Sequence, residues 1–301
     1  MNIFITGIKR SGTTILFDCL YEDKRFDCYY EPLCHGKINV GGGSGAREVA
    51  YGEKLNKARN EFIAQQGLDV SPEFFNLGAP ADYKQEIETK MPALHKNYLE
   101  FLASKSNITL MKFVRVSHKL RALKEMFPDA KVIHIVRDPR RMFMSHFFGS
   151  SWKKSKGIKK LQKFAKQMLK RRMFFLRKKS FDTWRSEHLI NLIIKSDPDY
   201  GSFRHSPAYE KMMLLWKILN ETTRRDGEKY FGADYLQIQH EDLCNNPVPV
   251  LENIYKFLGR SCPEEVKQWA CAHVKPPKPV YRKKDERWFK TAEKLDIDLN
   301  S

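Results

Sequence analysis

No stretch of 18 apolar residues occurs in the 301-residue chain, so no segment reads as a membrane-spanning helix. Zinc spacings are missing too. Six cysteines lie at 19, 28, 34, 244, 262 and 271, none in a Cys-x-x-Cys, and no two histidines stand at ligand spacing. That excludes a zinc module and fits free thiols in a reducing compartment. The first apolar run, Ile3–Thr6, leads into a glycine loop and not a cleavage site, so no signal peptide is read and a cytoplasmic protein is expected. Acid is absent from residues 153–179, KKSKGIKKLQKFAKQMLKRRMFFLRKK. One lysine is also missing. Gly7 and Gly12 of GIKRSGTT set the Gly-x-x-x-x-Gly frame of a phosphate loop, but Thr13 and Thr14 follow where an NTPase has Lys and then Ser or Thr.

What is present is a foldable chain with one local excess of charge. Hydrophobic residues make up 42%, enough to bury a core and exclude wholesale disorder. The net charge is +18, and residues 153–179 hold 13 Lys and Arg; without them it is +5. One segment therefore needs an anionic partner or a reason to be solvated, not the whole surface. Three readings stay open for it. It is a solvated helix packing Leu161, Met168 and Phe175 on the core, an interfacial helix on anionic lipid, or a docking surface for a polyanionic glycan. Double-stranded nucleic acid is the weakest reading, because no helix-turn-helix, zinc-finger or RNA-binding signature accompanies the charge.

Strands are read at 2–6, 26–31, 108–113, 131–136 and 234–239, those at 2–6 and 131–136 as buried, with helical segments between them. The alternation predicts an α/β fold of P-loop type: a doubly wound parallel sheet of about five strands flanked by helices. Ligands of such sheets sit beyond the carboxyl ends of the strands. There lie the glycine loop after the first strand, Glu31 after the second and Arg137 after the fourth. Without its lysine the loop still offers backbone N–H groups, a helix N-terminus and the Thr13 and Thr14 hydroxyls to an anion. Lys9 and Arg10 move the cations to before the second glycine. That suits a donor with one transferable group beyond a 5′-phosphate, and it needs no Mg²⁺.

GIKRSGTT resembles the 5′-phosphosulfate loop of the PAPS-dependent sulfotransferases (PAPS is 3′-phosphoadenosine 5′-phosphosulfate). VRDPRRMFMS, 136–145, is similar to the family's 3′-phosphate motif, with Arg137 and Ser145 eight residues apart. An arginine just past a strand and a hydroxyl two helical turns on can grip one phosphate. CYYEPLCH, 28–35, resembles the carbohydrate-sulfotransferase branch. FPDAKVIHIVRDP, 127–139, and IQHEDLCNNPVPVLENIYKFLG, 238–259, extend the likeness over 2–35, 108–147 and 206–259. The resemblance implies one sulfotransferase domain over 1–301, with acceptor-side insertions at about 36–107 and 148–205. It implies transfer of a sulfuryl group from PAPS, without a metal, to a hydroxyl of a carbohydrate or glycolipid.

Roles follow from the same likeness. Gly7, Arg10, Ser11, Gly12, Thr13, Thr14, Arg137 and Ser145 bind the donor, with Arg282 and Lys283 as a C-terminal flap. Arg10, then Lys9, faces the leaving oxygen. Glu31 is the base, His35 its rival, and His118 a more distant one. Glu31 also reads as a strand-end carboxylate paired to a lysine. Lys112 and Arg115 reach the acceptor or line a solvated edge, and His134 is a satisfied core histidine. A protein-tyrosine or small-molecule acceptor stays open. So do two other classes, a P-loop kinase using ATP–Mg²⁺ and a non-catalytic basic protein that binds polyanions or membranes.

Overall fold

Short runs of four to six residues form the five strands of the computed structural model, β-branched and aromatic in β1 and β4: β1 Asn2–Thr6, β2 Asp27–Tyr30, β3 Thr109–Lys112, β4 Lys131–Val136 and β5 Tyr235–Gln239. The structure describes residues 1–34, 46–69, 83–147, 156–176, 185–277, 279–280 and 283–299. All four strand pairings are parallel, in the order β2-β3-β1-β4-β5. The expected parallel α/β sheet is therefore present, with each predicted strand within a residue of its place. β1 lies centrally, with Ile3 opposite Leu110 on one side and Lys131 on the other. Order reverses at β1, the switch point where such sheets bind ligands.

In chain order the helices are α1 Thr13–Leu20, α2 Ala46–Gln65, α3 Tyr83–Ile87, α4 Ala93–Ser104, α5 Leu120–Met126, α6 Pro139–Phe147, α7 Gly157–Leu176, α8 Arg185–Ser196, α9 Ala208–Phe231, α10 His240–Asn245, α11 Pro247–Phe257, α12 Glu264–His273 and α13 Glu286–Lys294. The chain divides into two compact units. The first comprises Met1–Ile8, Gly12–Val136 and Thr222–Pro276 and contains the whole sheet. Its core has two layers. Ile3, Ile5, Leu16, Leu110, Ile133, Leu251 and Tyr255 pack on one face, and Phe4, Phe62, Tyr98, Met111, Phe113 and Val132 on the other. Alternate residues of β1 thus serve opposite faces, as the period-two pleat requires.

The second unit comprises Lys9–Ser11, Arg137–Glu221 and Pro277–Ser301. Trp288 is its fully buried centre, stacked on Phe143 at 6.4 Å and met edge-on by Tyr209 at 5.8 Å. α8 was not foreseen, although Leu189, Ile190, Ile193 and Ile194 are buried along it at helical spacing. One expectation for α7 is overturned. Leu161 and Met168 do not pack on the core but are 68% and 43% exposed, and Phe175 lies outside the described side chains.

Within the first unit a buried polar cluster surrounds Lys119. Its ammonium donates to the carbonyls of Gln85 (2.7 Å), Glu88 and Lys90 (2.9 Å), fixing the turn after α3. Burial, then the charge of Lys119, pulls His95 and His118 down to about 4. Burial pushes Glu86 up to about 7. Between about pH 4.5 and 6.5 the unfolded chain therefore holds two more protons on the histidines, and the folded chain one more on Glu86. The net is one proton, so stability should rise with pH by about 1.4 kcal/mol per unit in that window. Glu86→Gln removes the opposing proton. Urea unfolding between pH 5 and pH 6 should then show roughly twice the slope.

Candidate functional site

The loop after β1 is built on two left-handed residues. Gly12 has φ +104° and Arg10 has φ +74°. Gly12 is required twice over. A Cβ there would need positive φ and would lie 2.1 Å from Cδ2 of His240. That ring is buried at the start of α10, 3.4 Å by Nε2 from the Cys244 sulfur, so it has little room to yield. Sequence reading missed His240 because nothing local connects it to a glycine 228 residues earlier. α1 begins directly after Gly12, with no side-chain cap and no acid in its first turn. Its first N–H groups and the positive end of its dipole are thus left for an anion. Thr13 is buried, and the Thr14 hydroxyl shares a 3.1 Å hydrogen bond with the Tyr30 hydroxyl.

Tyr30 links this helix start to the predicted base. Its ring stacks on Tyr51 of α2 at 5.4 Å and lies 4.1 Å from the Lys112 ammonium. Lys112 is 1% exposed, and its ammonium donates to Oε1 of Glu31. The pairing alternative for Glu31 is thus realised, and Lys112 is no solvated edge. Oε2 makes no hydrogen bond to any described residue, so one oxygen remains to accept from a hydroxyl.

Glu31 itself has φ +46°, uncommon for a residue with a side chain and more so before proline. The surroundings over-determine it, as such conformations need. Its N–H donates to the Lys112 carbonyl and its carbonyl accepts from Cys34 N–H, both at 2.9 Å. Fully buried Arg59 of α2 grips the following turn through the carbonyls of Pro32 (3.2 Å) and Cys34 (2.8 Å). Beside Glu31 a shallow, open depression is lined by Leu33, Cys34, Phe113, Val114 and Arg115. Burial raises the Cys34 thiol against the pull of Arg59, so it is no thiolate nucleophile.

The second unit gathers three predicted donor-binding residues. Arg10 Nε donates to the Ser145 hydroxyl at 3.1 Å, and Arg137 Nη1 donates to the Arg10 carbonyl at 3.0 Å. Three local devices place them. Asp138 caps α6 by accepting from Arg140 N–H at 2.8 Å, Pro139 opens the helix, and Trp216 Nε1 donates to the Arg137 carbonyl at 2.8 Å. Arg140 clamps Asp138 with both forks and reaches the Leu299 carbonyl at 2.7 Å. Ser11 Oγ is buried and has no hydrogen-bond partner among the described residues, which leaves a donor inside the loop for a ligand oxygen.

Other predicted positions fall elsewhere. Lys9 is half-buried in the loop, and Lys283 is exposed before α13 with no bond to Arg10, Arg137 or Ser145. Arg282 and His35 lie outside the described residues. His118 is half-buried in the Lys119 cluster. His134 is fully buried with Nδ1 2.7 Å from the Tyr235 hydroxyl, a satisfied core histidine as expected. No group of three His, Cys, Asp or Glu among the described residues is placed to hold a metal.

A parallel sheet, a left-handed glycine loop and an uncapped helix start after β1 define an α/β protein of P-loop type. The sequence profile of the sulfotransferase family matches residues 2–189, which include this loop, Glu31, Arg137 and Ser145, and the chain belongs to that family. Among solved structures it is similar to the sulfotransferase STF9 of Mycobacterium avium, at 14% identity over all of this chain and 78% of that one, TM-score 0.50. It is also similar to the sulfotransferase domain of the curacin biosynthetic pathway, at 15% identity over 99% and 98% of the two chains, TM-score 0.45. A third likeness is mouse SULT7A1, solved with PAP, at 14% identity over 91% and 64%, TM-score 0.38. No curated protein matches the chain. At such identity the Mycobacterium avium structure speaks to the fold alone.

The loop geometry is open to a direct test. Gly12→Ala should destabilise the protein by about 2–4 kcal/mol, from positive φ plus overlap with His240. In a double-mutant cycle with His240→Ala the losses should fall short of additive, because the overlap part disappears, as read from urea midpoints.

Proposed function

We propose that this sulfotransferase takes its sulfuryl group from PAPS and passes it to a hydroxyl of a carbohydrate or glycolipid. The observation that carries the donor reading is the convergence of Arg10, Arg137 and Ser145, 127 and 135 residues apart in sequence. Arg137 and Ser145 together suit a 3′-phosphate, the group PAPS has and ATP lacks. PAPS, when bound, supplies an activated sulfuryl group on a 5′-phosphate. Gly7, Ser11, Gly12, Thr13 and Thr14 offer that end N–H and hydroxyl donors. A loop without the P-loop lysine has no ammonium for a γ-phosphate, which disfavours the kinase alternative.

Arg10 has a more specific part than the sequence implied. Its left-handed backbone turns its carbonyl to Arg137 while its guanidinium lies on Ser145. One residue thereby ties the phosphosulfate loop to the 3′-phosphate motif, and its cation is kept ready for charge that develops on a leaving oxygen. Lys9 is the second cation of the loop.

Glu31 Oε2 accepts the proton of the acceptor hydroxyl in this reading, and the depression with Phe113, Val114 and Arg115 receives the acceptor. Lys112 orients the carboxylate through Oε1. The carbohydrate preference rests on the likeness of CYYEPLCH to that branch.

The experiment is transfer of labelled sulfate from PAPS to a panel of glycan and glycolipid acceptors, with labelled ATP–Mg²⁺ in parallel. Transfer from PAPS alone supports the proposal, and transfer of phosphate from ATP overturns it. Glu31→Gln should lower turnover by about 10²–10⁴ while 3′,5′-ADP affinity stays within about twofold. Unchanged turnover in that variant would remove Glu31 from the role of base.

A further inference from the structure

Helix α7 is exposed on the side where helices usually bury themselves. Ile158 is 76% exposed, Leu161 68%, Leu169 57% and Met168 43%. At 100° per residue, Ile158, Leu161, Ala165, Met168 and Leu169 fall within an arc of about 100°. Lys159, Lys160, Lys163 and Lys166 fall within an arc of about 120° on the opposite side. All four lysines are exposed, and the helix and its flanks carry no acid from 153 to 179. An apolar stripe this wide, left in water, is costly unless something covers it.

We propose that α7 is a docking helix that lies in the interface of an anionic lipid bilayer. The sequence left three partners open, and the geometry separates them. Core packing is excluded by the exposure of the stripe. A polyanionic glycan matches the lysines but offers no apolar phase for Ile158, Leu161 and Leu169. A second copy would bring the same acid-free basic segment against itself, and like charges repel. A bilayer satisfies both arcs at once. Acyl chains take up the stripe, and anionic headgroups meet lysines whose long stems reach outward from a half-sunk helix. No helix among the described residues is long and apolar enough to cross a membrane, so the attachment is peripheral and reversible.

The test is co-sedimentation of the full chain with vesicles of phosphatidylcholine containing about one-third phosphatidylserine, and with pure phosphatidylcholine, at about 0.1 M salt. Binding to the anionic vesicles and not the neutral ones is expected. Lys163→Gln should weaken it about fivefold, the worth of one basic residue near such a surface. Leu161→Ser with Leu169→Ser should weaken it tenfold or more through lost apolar burial. Both positions are exposed, so these variants should keep the wild-type melting temperature and 3′,5′-ADP affinity, and a shift in either would show that the stripe packs within the protein and overturn the proposal. Absence of binding to anionic vesicles also overturns it. So does binding that falls with Lys163→Gln but ignores the leucine pair and transfers equally to a sulfated oligosaccharide, which would mark a polyanion surface. A dimer in light scattering that the leucine pair dissolves would assign the stripe to self-association.

Discussion

A lysine ammonium at 1% exposure cannot be left without a counter-charge, and Lys112 finds its own in Glu31. Much of the first unit is arranged around that pair. β3 carries the lysine and the residue just after β2 the carboxylate, and the two strands are adjacent and parallel, with Tyr30 opposite Lys112 in register. Tyr30 shields the ammonium with its ring and joins Thr14 through its hydroxyl. α2 contributes Tyr51 to stack on Tyr30 and Arg59 to hold the turn behind Glu31. The chain between β2 and β3 thereby fixes Glu31. The left-handed backbone at Glu31 is stored strain of about 1–3 kcal/mol, held by these contacts. It aims one carboxylate oxygen at the lysine and leaves the other without a hydrogen bond to any described residue.

The second unit solves a related problem with backbone and not with burial. Arg10 places a cation within the loop on a left-handed residue that carries a long side chain. Arg137 secures the Arg10 carbonyl, Ser145 receives its guanidinium, and Trp216 secures Arg137. The Arg-Asp-Pro sequence has two uses at once. Asp138 and Pro139 start a helix, and that start fixes the arginine before it and the serine two turns later.

How legible this was depended on sequence separation. The central parallel strands, buried on both faces, read as short apolar runs, and all five strands were visible. Glycine spacing and strand ends marked Arg10, Glu31, Arg137 and Ser145, and three of them, Arg10, Arg137 and Ser145, lie together. The partnerships were not marked. Lys112 is 81 residues from Glu31, and His240 approaches Gly12 from the far end of the sheet order, where no local pattern speaks. Positive φ at Arg10 and Glu31 had no signal either, since neither residue type favours it. α7 shows a different limit. Periodicity revealed its apolar face, but a face has the same period whether it meets a core or a bilayer, and only the fold shows that it meets no core.

The account stands or falls on whether the loop and the Arg137 motif read a 3′-phosphate. Calorimetric titration with 3′,5′-ADP, ADP and ATP–Mg²⁺, on the wild type and on Arg137→Ala, addresses this most directly. Preference for 3′,5′-ADP that vanishes in the variant is the predicted result. Preference for ATP–Mg²⁺, or equal affinity for all three nucleotides that survives the loss of Arg137, would contradict it.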